Sequence, residues 1–382
     1  MASSASPLSP FLSMLSRPKW NMRQRSPQLQ FKIIITVLTF SIIILVGLLR
    51  TSSHPYIISA TQKFRNRIEG NVDDGIPNQV HYIWALNDTS GDLLFTFEQY
   101  LSVYSAWYYW KPQTIYLHTN AGEPAIARAR DGVFSKWAMR ILSIPGLRVN
   151  LVEMPNTTKD GVKFRFKEHI SDFARVKAVH DYGGIYIDFD IQPLRDIAVL
   201  RKSGFNAIGG RQEDNNLNSG SFMSKKGSKM VTKWMNKMHE VYDGRWTTHS
   251  NDALTAVARS LVPEPGEMLI MDREAFAPVG WTFDDARDLF GLHNETTHLE
   301  QLAPGQPLPS YDGKPPAWAR DFSASYMIHC FTPDWDLNQV EGVTEITPAY
   351  VLKRQSNFAY ATYPVVRDMY HKGLVTLEDK ER

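Results

Sequence analysis

From Val80 onward, short apolar runs alternate with stretches whose apolar positions recur every three or four residues, the rhythm of strands alternating with helices. The pattern predicts strands at 80–85, 114–118 and 149–152 and helices at 95–110 and 131–142. A helix through Asp172 and a strand running into Asp188 come next. This alternation predicts an α/β fold, a mainly parallel sheet flanked by helices, with ligands beyond the carboxyl ends of the strands. Trp84 and Asp190 both fall at such ends. Farther on the pattern loosens, with strands at 205–209 and 220–223 and helices at 228–242 and 252–261. On helix 95–110 the aromatics Tyr100, Tyr104, Trp107, Tyr108, Tyr109 and Trp110 lie at helical spacing and read as core.

The longest apolar run precedes all of this. Residues 33–49 read IIITVLTFSIIILVGLL, and Phe31 with a snorkelling Lys32 extends them toward bilayer-spanning length. Arg17, Lys19, Arg23 and Arg25 precede the run with no acidic residue among them, which keeps the short tail cytoplasmic. A cleaved signal is the rival, but the tail is long and no small-x-small site follows closely. The predicted organisation is a cytoplasmic tail at 1–30, a transmembrane signal anchor at 31–50, a polar stem at 51–75 and one luminal domain at 76–382.

Composition narrows the classes. With 382 residues, 43% hydrophobic and 21% charged, the chain can bury a substantial core. A net charge of +2, with no basic block interleaved with aromatics, argues against a nucleic-acid partner. Cys330 is the one cysteine, so no intrachain disulfide forms, and its apolar setting suggests a buried thiol. Sequons at Asn87, Asn156 and Asn294 permit glycosylation on a luminal domain.

The chemistry concentrates in SDFARVKAVHDYGGIYIDFDIQPLRD, from Ser171 to Asp196. Strand alternation sets Tyr186, Asp188 and Asp190 on one side and Ile185, Ile187 and Phe189 on the other. Two carboxylates converging at the end of an apolar strand repel each other, and a divalent cation such as Mn2+ or Mg2+ removes that conflict. Taken alone, Asp-x-Asp also marks ordinary strand ends that face water. Gly183 and Gly184 stop the preceding helix and permit a tight turn. On that helix Asp172 and Arg175 share a face, either as a surface ion pair or as groups aimed at an anionic ligand.

This segment resembles the signature of the DxD-containing glycosyltransferase family 32, typified by Golgi mannosyltransferases. IPNQVHYIW at 76–84 is similar to the family's opening strand, and YMIHCFTPDW at 326–335 to its late His and Trp. The sequence departs from the family where Cys330 follows the late His and where FTPDW lacks a Gly-Ser step. Those departures bear on the acceptor side of the pocket.

The resemblance implies a GT-A-like fold and a metal-dependent hexosyltransferase that retains anomeric configuration. Its donor would be a nucleotide-sugar, GDP-mannose in preference to a UDP-hexose, and its acceptor a glycan or glycolipid. It would sit in the Golgi or ER membrane. In the implied roles Asp190 ligates the metal, Asp188 touches ribose and metal, and His329 completes the site. Asp172 and Arg175 grip the donor, Tyr186 lines its pocket, His81 and Trp84 flank the nucleoside, and Trp335 caps the diphosphate. Asn218 orients hydroxyls, although its Asn-Ser-Gly setting is also ordinary turn chemistry. Two further readings stay open: a phosphatase of the haloacid-dehalogenase type, which also ends a strand in Asp-x-Asp, and a membrane-anchored sugar-binding protein without turnover.

Overall fold

Seven strands form the central sheet in the order β3-β2-β1-β4-β7-β6-β8. They are β1 (Gln79–Trp84), β2 (Thr114–Thr119), β3 (Leu147–Leu151), β4 (Gly184–Ile187), β6 (Ala207–Arg211), β7 (Leu217–Ser224) and β8 (Met268–Met271). All run the same way except β7, which pairs antiparallel with both β4 and β6. The short strands β5 (Ile191–Pro193) and β9 (Met327–His329) make a separate antiparallel pair.

The helices are α1 (Phe97–Trp110), α2 (Glu123–Arg130), α3 (Lys136–Leu142), α4 (Lys167–Tyr182), α5 (Ala198–Arg201), α6 (Lys229–Val241) and α7 (Ala253–Leu261). After them come α8 (Arg273–Phe276), α9 (Phe283–Phe290), α10 (Pro348–Lys353) and α11 (Asn357–His371). A π-helical turn, Thr248–Asp252, precedes α7. This computed structural model describes residues 75–293, 315–332 and 340–382. The predicted tail, membrane span and stem, Asn294, Trp335 and most of the Pro-rich stretch 304–316 lie outside the described residues. Among the described residues no helix is long and apolar enough to cross a membrane.

Local chemistry accounts for the elements around the site. A capping box between Thr96 and Gln99 starts α1, and Lys111 in the left-handed region ends it. The helix predicted at 131–142 begins only at Lys136, because Gly132 at φ +69 follows the end of α2 and Ser135 caps the fresh start of α3. The Gly183-Gly184 break is required on two counts. Both residues have positive φ, and a β-carbon on Gly184 would stand 2.5 Å from the Gln79 carbonyl oxygen. The α4 chain thus reverses sharply into β4, so that α4 begins over the carboxyl end of the sheet.

Alternation along the strands divides the core into two layers. Val80, Tyr82, Ile115, Leu117, Ile185 and Ile187 pack with α1, whereas Ile83, Tyr186 and Phe222 pack with Phe173, Val176 and Val179 of α4 and Trp234 of α6. The aromatic helix is divided in the same way. Tyr100, Tyr104 and Trp110 are buried, while Trp107, Tyr108 and Tyr109 are half-buried and line a surface cleft with Lys111, Pro112, Asp196 and Lys372.

Candidate active site

Strand β4 stops at Ile187, so the two aspartates stand on the turn that follows rather than on the strand itself. The Asp188 amide donates to the Gly220 carbonyl (2.9 Å), and the Ile191 amide donates to the Asp188 carbonyl (3.1 Å). Those bonds fold Asp190 back beside Asp188. Pairing of β5 with β9 sets Ile191 opposite His329, and the Cys330 amide donates to the Asp190 carbonyl (2.9 Å). The late histidine therefore arrives next to the turn, with Nε2 3.3 Å from Asp190 Oδ2.

One ligand atom each from Asp188, Asp190 and His329 lies within 4.8 Å of the others. Two carboxylate oxygens and an imidazole nitrogen are a donor set that suits Mn2+. The space around it depends on Gly220 of β7. A β-carbon there would stand 2.5 Å from Asp188 Oδ2, 2.8 Å from Asn218 Oδ1 and 2.9 Å from His329 Cε1. The residues present fit a divalent cation.

Behind the turn lies a buried ion network. Arg175 Nη2 contacts Asp172 Oδ1 (3.1 Å) and Asp188 Oδ1 (3.2 Å), and Nη1 donates to the Ser219 carbonyl (3.2 Å). Its guanidinium lies 4.7 Å over the Tyr186 ring, and the Tyr186 hydroxyl donates a short bond to Asp188 Oδ1. Burial raises the Asp188 pKa, Arg175 opposes that shift, and the like charge of Asp190 adds to it. Asp172 Oδ2 is held at 2.8 Å by Nε2 of His249, which the π-helical turn presents.

A polar relay also supports His329. Asn218 Nδ2 donates to His329 Nδ1 (2.8 Å) and to Gln212 Oε1 (3.0 Å), while Asn218 Oδ1 accepts from the Gly220 amide (2.6 Å). Asn251 ties in from the π-helical turn through Gln212 Oε1 (3.2 Å) and the Ser219 amide (3.0 Å).

Sequence reasoning and structure differ at several positions. His81 is fully enclosed rather than open to a nucleoside, sandwiched between Tyr116 and Tyr182. Its Nε2 donates to the Gly183 carbonyl (2.8 Å), its Nδ1 accepts from His118 Nε2 (2.9 Å), and His118 Nδ1 accepts from Asn150 (2.9 Å). Burial lowers both histidines, His81 to about 4 and His118 to about 3, so this relay is uncharged. Tyr186 is buried beneath Arg175 and touches the Asp188 carboxylate instead of lining an open wall. Asp172 and Arg175, at 8% and 7% exposure, are buried rather than facing a ligand: Arg175 reaches Asp188 from behind, and Asp172 pairs with Arg175. Asn218 is buried against His329.

Trp84 does stand at the carboxyl end of β1, half-buried against Phe95 and Phe189, with its indole Nε1 unpartnered. Trp335 lies outside the described residues. Residues that sequence reasoning missed are Gly220, Gln212, Asn251, His249 and Glu98. Glu98, an acid on an otherwise aromatic helix, is the one with a sequence signal. Burial and then Asp190 push its pKa up to about 8, and it lies against Thr332 and the Cys330 thiol. Cys330 is buried as expected.

Residues 101–214, which include α4 and both aspartates, match the family described as "Glycosyltransferase sugar-binding region containing DXD motif". The chain is thus a glycosyltransferase by its sugar-binding region. Two solved glycosyltransferases are among the structures the chain is similar to. The PaToxG glycosyltransferase is 13% identical with a TM-score of 0.36, over 55% of this chain and 80% of that one. The apo-form glycosyltransferase GlyE of Streptococcus pneumoniae TIGR4 is 11% identical with a TM-score of 0.40, over 78% of this chain and 64% of that one. No curated protein matches the glycosyltransferase sequence.

Proposed function

We propose that this glycosyltransferase is metal-dependent and moves a hexose, mannose in preference to galactose, glucose or N-acetylglucosamine, from a nucleotide-sugar to a glycan or glycolipid hydroxyl. The observation that carries the reading is the Asp188, Asp190 and His329 group in the space left by Gly220. Manganese bound there would neutralise charge on a leaving diphosphate.

The chain's own residues hold that arrangement ready. Arg175 and Tyr186 fix one oxygen of Asp188 and leave Oδ2 toward the Gly220 space. Asn218 fixes the His329 ring by its far nitrogen. Trp84, half-buried at the carboxyl end of β1, is assigned to the nucleotide side from the family resemblance.

Transfer with retention and an α-linked product is proposed from the family resemblance. The apolar run at 33–49 behind its basic tail supports a single-pass anchor with the catalytic domain in the Golgi or ER lumen. The test is donor hydrolysis over GDP-mannose and the common UDP-sugars with manganese, magnesium or chelator. Release of one nucleotide that requires metal supports the proposal, and metal-independent release refutes it.

A further inference from the structure

The metal-side histidine is the first ring of an aromatic path that leads to the surface. Phe331 stacks on His329 with centroids 3.8 Å apart and planes at 18°. Trp281 meets Phe331 edge-on at 5.7 Å, and the residue is 36% exposed. Phe331 holds this position at φ +54, a left-handed conformation that costs an L-residue roughly 1–2 kcal/mol and that only surrounding contacts sustain. Such strain beside a reactive centre motivates a functional reading of the ring it positions.

The Trp281 loop is held in place. Arg273 Nη2 and Arg320 Nη2 both donate to the Pro278 carbonyl, at 3.3 and 2.6 Å. The Asp285 carboxylate accepts from Thr282 in the capping box of α9. Next to Trp281, Gly280 lets a carboxylate come close, because a β-carbon there would collide with Glu213 Oε2. Glu213 lies on the turn between β6 and β7, one residue from the Gln212 that supports Asn218. Its Oε2 is buried and accepts no hydrogen bond.

We infer that Trp281, Phe331 and Glu213 form the acceptor subsite, and that it takes an uncharged hexopyranoside. The inference rests on the proposed transferase reading. An exposed indole offers an apolar face to the C–H side of a pyranose, and half-buried Glu213 accepts from the sugar's hydroxyls through the oxygen not packed against Gly280, which gives orientation. The Glu213 carboxylate opposes a uronic acid or a phosphorylated sugar at this place.

The test is ligand-observed saturation-transfer NMR on the full chain with methyl α-mannoside, α-galactoside and α-glucoside, and with methyl glucuronide as the anionic probe. A neutral hexoside should bind, with the glucuronide at least tenfold weaker. Trp281→Ala and Glu213→Gln should each weaken hexoside binding about tenfold or more, and Trp281→Phe should restore most of it. Rescue by phenylalanine separates loss of an aromatic face from loss of fold. No hexoside binding to the wild type, glucuronide binding as tight as that of the neutral sugars, or wild-type binding by Trp281→Ala would each overturn the inference. Donor hydrolysis by the wild type decides the transferase reading separately. Hexoside binding without turnover keeps the subsite and sinks the chemistry, and turnover without hexoside binding does the reverse.

Discussion

A single methyl group at Gly220 tests the metal site without removing any ligand. In Gly220→Ala the new β-carbon would meet Asp188 Oδ2 at 2.5 Å, where ordinary contact begins at 3.4 Å. The carboxylate must therefore retreat by about 1 Å. It is not free to do so, because its other oxygen is held by Arg175 and Tyr186. His329 is constrained as well, between Asn218 and the stacked Phe331 ring. A misplacement of about 1 Å costs on the order of a hundredfold in a preorganised site, and weakened ligand support about ten- to a hundredfold in metal affinity. The expected loss in Mn2+ affinity is thus about ten- to a hundredfold, or roughly 1.4 to 2.7 kcal/mol. Overpacking should cost about 1–3 kcal/mol of stability, leaving the fold intact. Manganese titration calorimetry beside urea unfolding measures both. Gly209→Ala is the control, since its β-carbon meets the flexible ends of Leu217 and Met268 at 3.1 and 3.4 Å, away from the turn. Wild-type Mn2+ affinity in Gly220→Ala would refute the site.

Asp190→Asn should abolish transfer and weaken Mn2+ binding while the unfolding midpoint stays near wild type, and undiminished metal-dependent turnover would contradict the assignment. Arg175→Met leaves Asp172 and Asp188 facing each other without the buried cation, and should destabilise by about 3–5 kcal/mol in chemical denaturation; a loss below about 1 kcal/mol would show that the network is not structural. For His81 the folded pKa of about 4 lies below the unfolded value of 6.5, so the unfolded chain takes up the proton first. Stability should fall as pH drops from 6.5 toward 4, by up to about 3 kcal/mol from this residue. NMR should find the His81 and His118 rings neutral at pH 6, and a midpoint near 6.5 for either would refute the buried relay.

Much of the catalytic half was legible because its signals are local. The strand and helix rhythm from Val80 to Met223 depends on side-chain period, and Gly183-Gly184 reads as a break in any fold. Asp188 and Asp190 are two positions apart, so their convergence needs one turn. What stayed hidden depends on long-range pairing. Nothing near Gly220 says that its missing side chain leaves room beside an aspartate 32 positions earlier. Glu98 meets Thr332 and the Cys330 thiol only because α1, β5 and β9 come together. His81 was misread for a related reason: its motif suggests a ligand residue, yet its ring lies on the α4 side of β1, where Tyr116, His118 and Tyr182 close over it. A helix from 131 to 142 was overcalled because apolar spacing carries no record of Gly132's backbone angle.

The reversed direction of β7 has a consequence for modification of this enzyme. Every other border of the sheet's carboxyl edge is reached by a crossover, which commits a whole helix and the register of the next strand. At β6 and β7 that edge is closed by the hairpin of residues 212–216, anchored by the Gln212 amide to the Asn216 carbonyl at 2.8 Å. Grafting a different turn between Gln212 and Leu217, with Gln212 kept as the support of Asn218, would exchange one wall as a cassette, leaving the β1-β4 half and its aspartates in place.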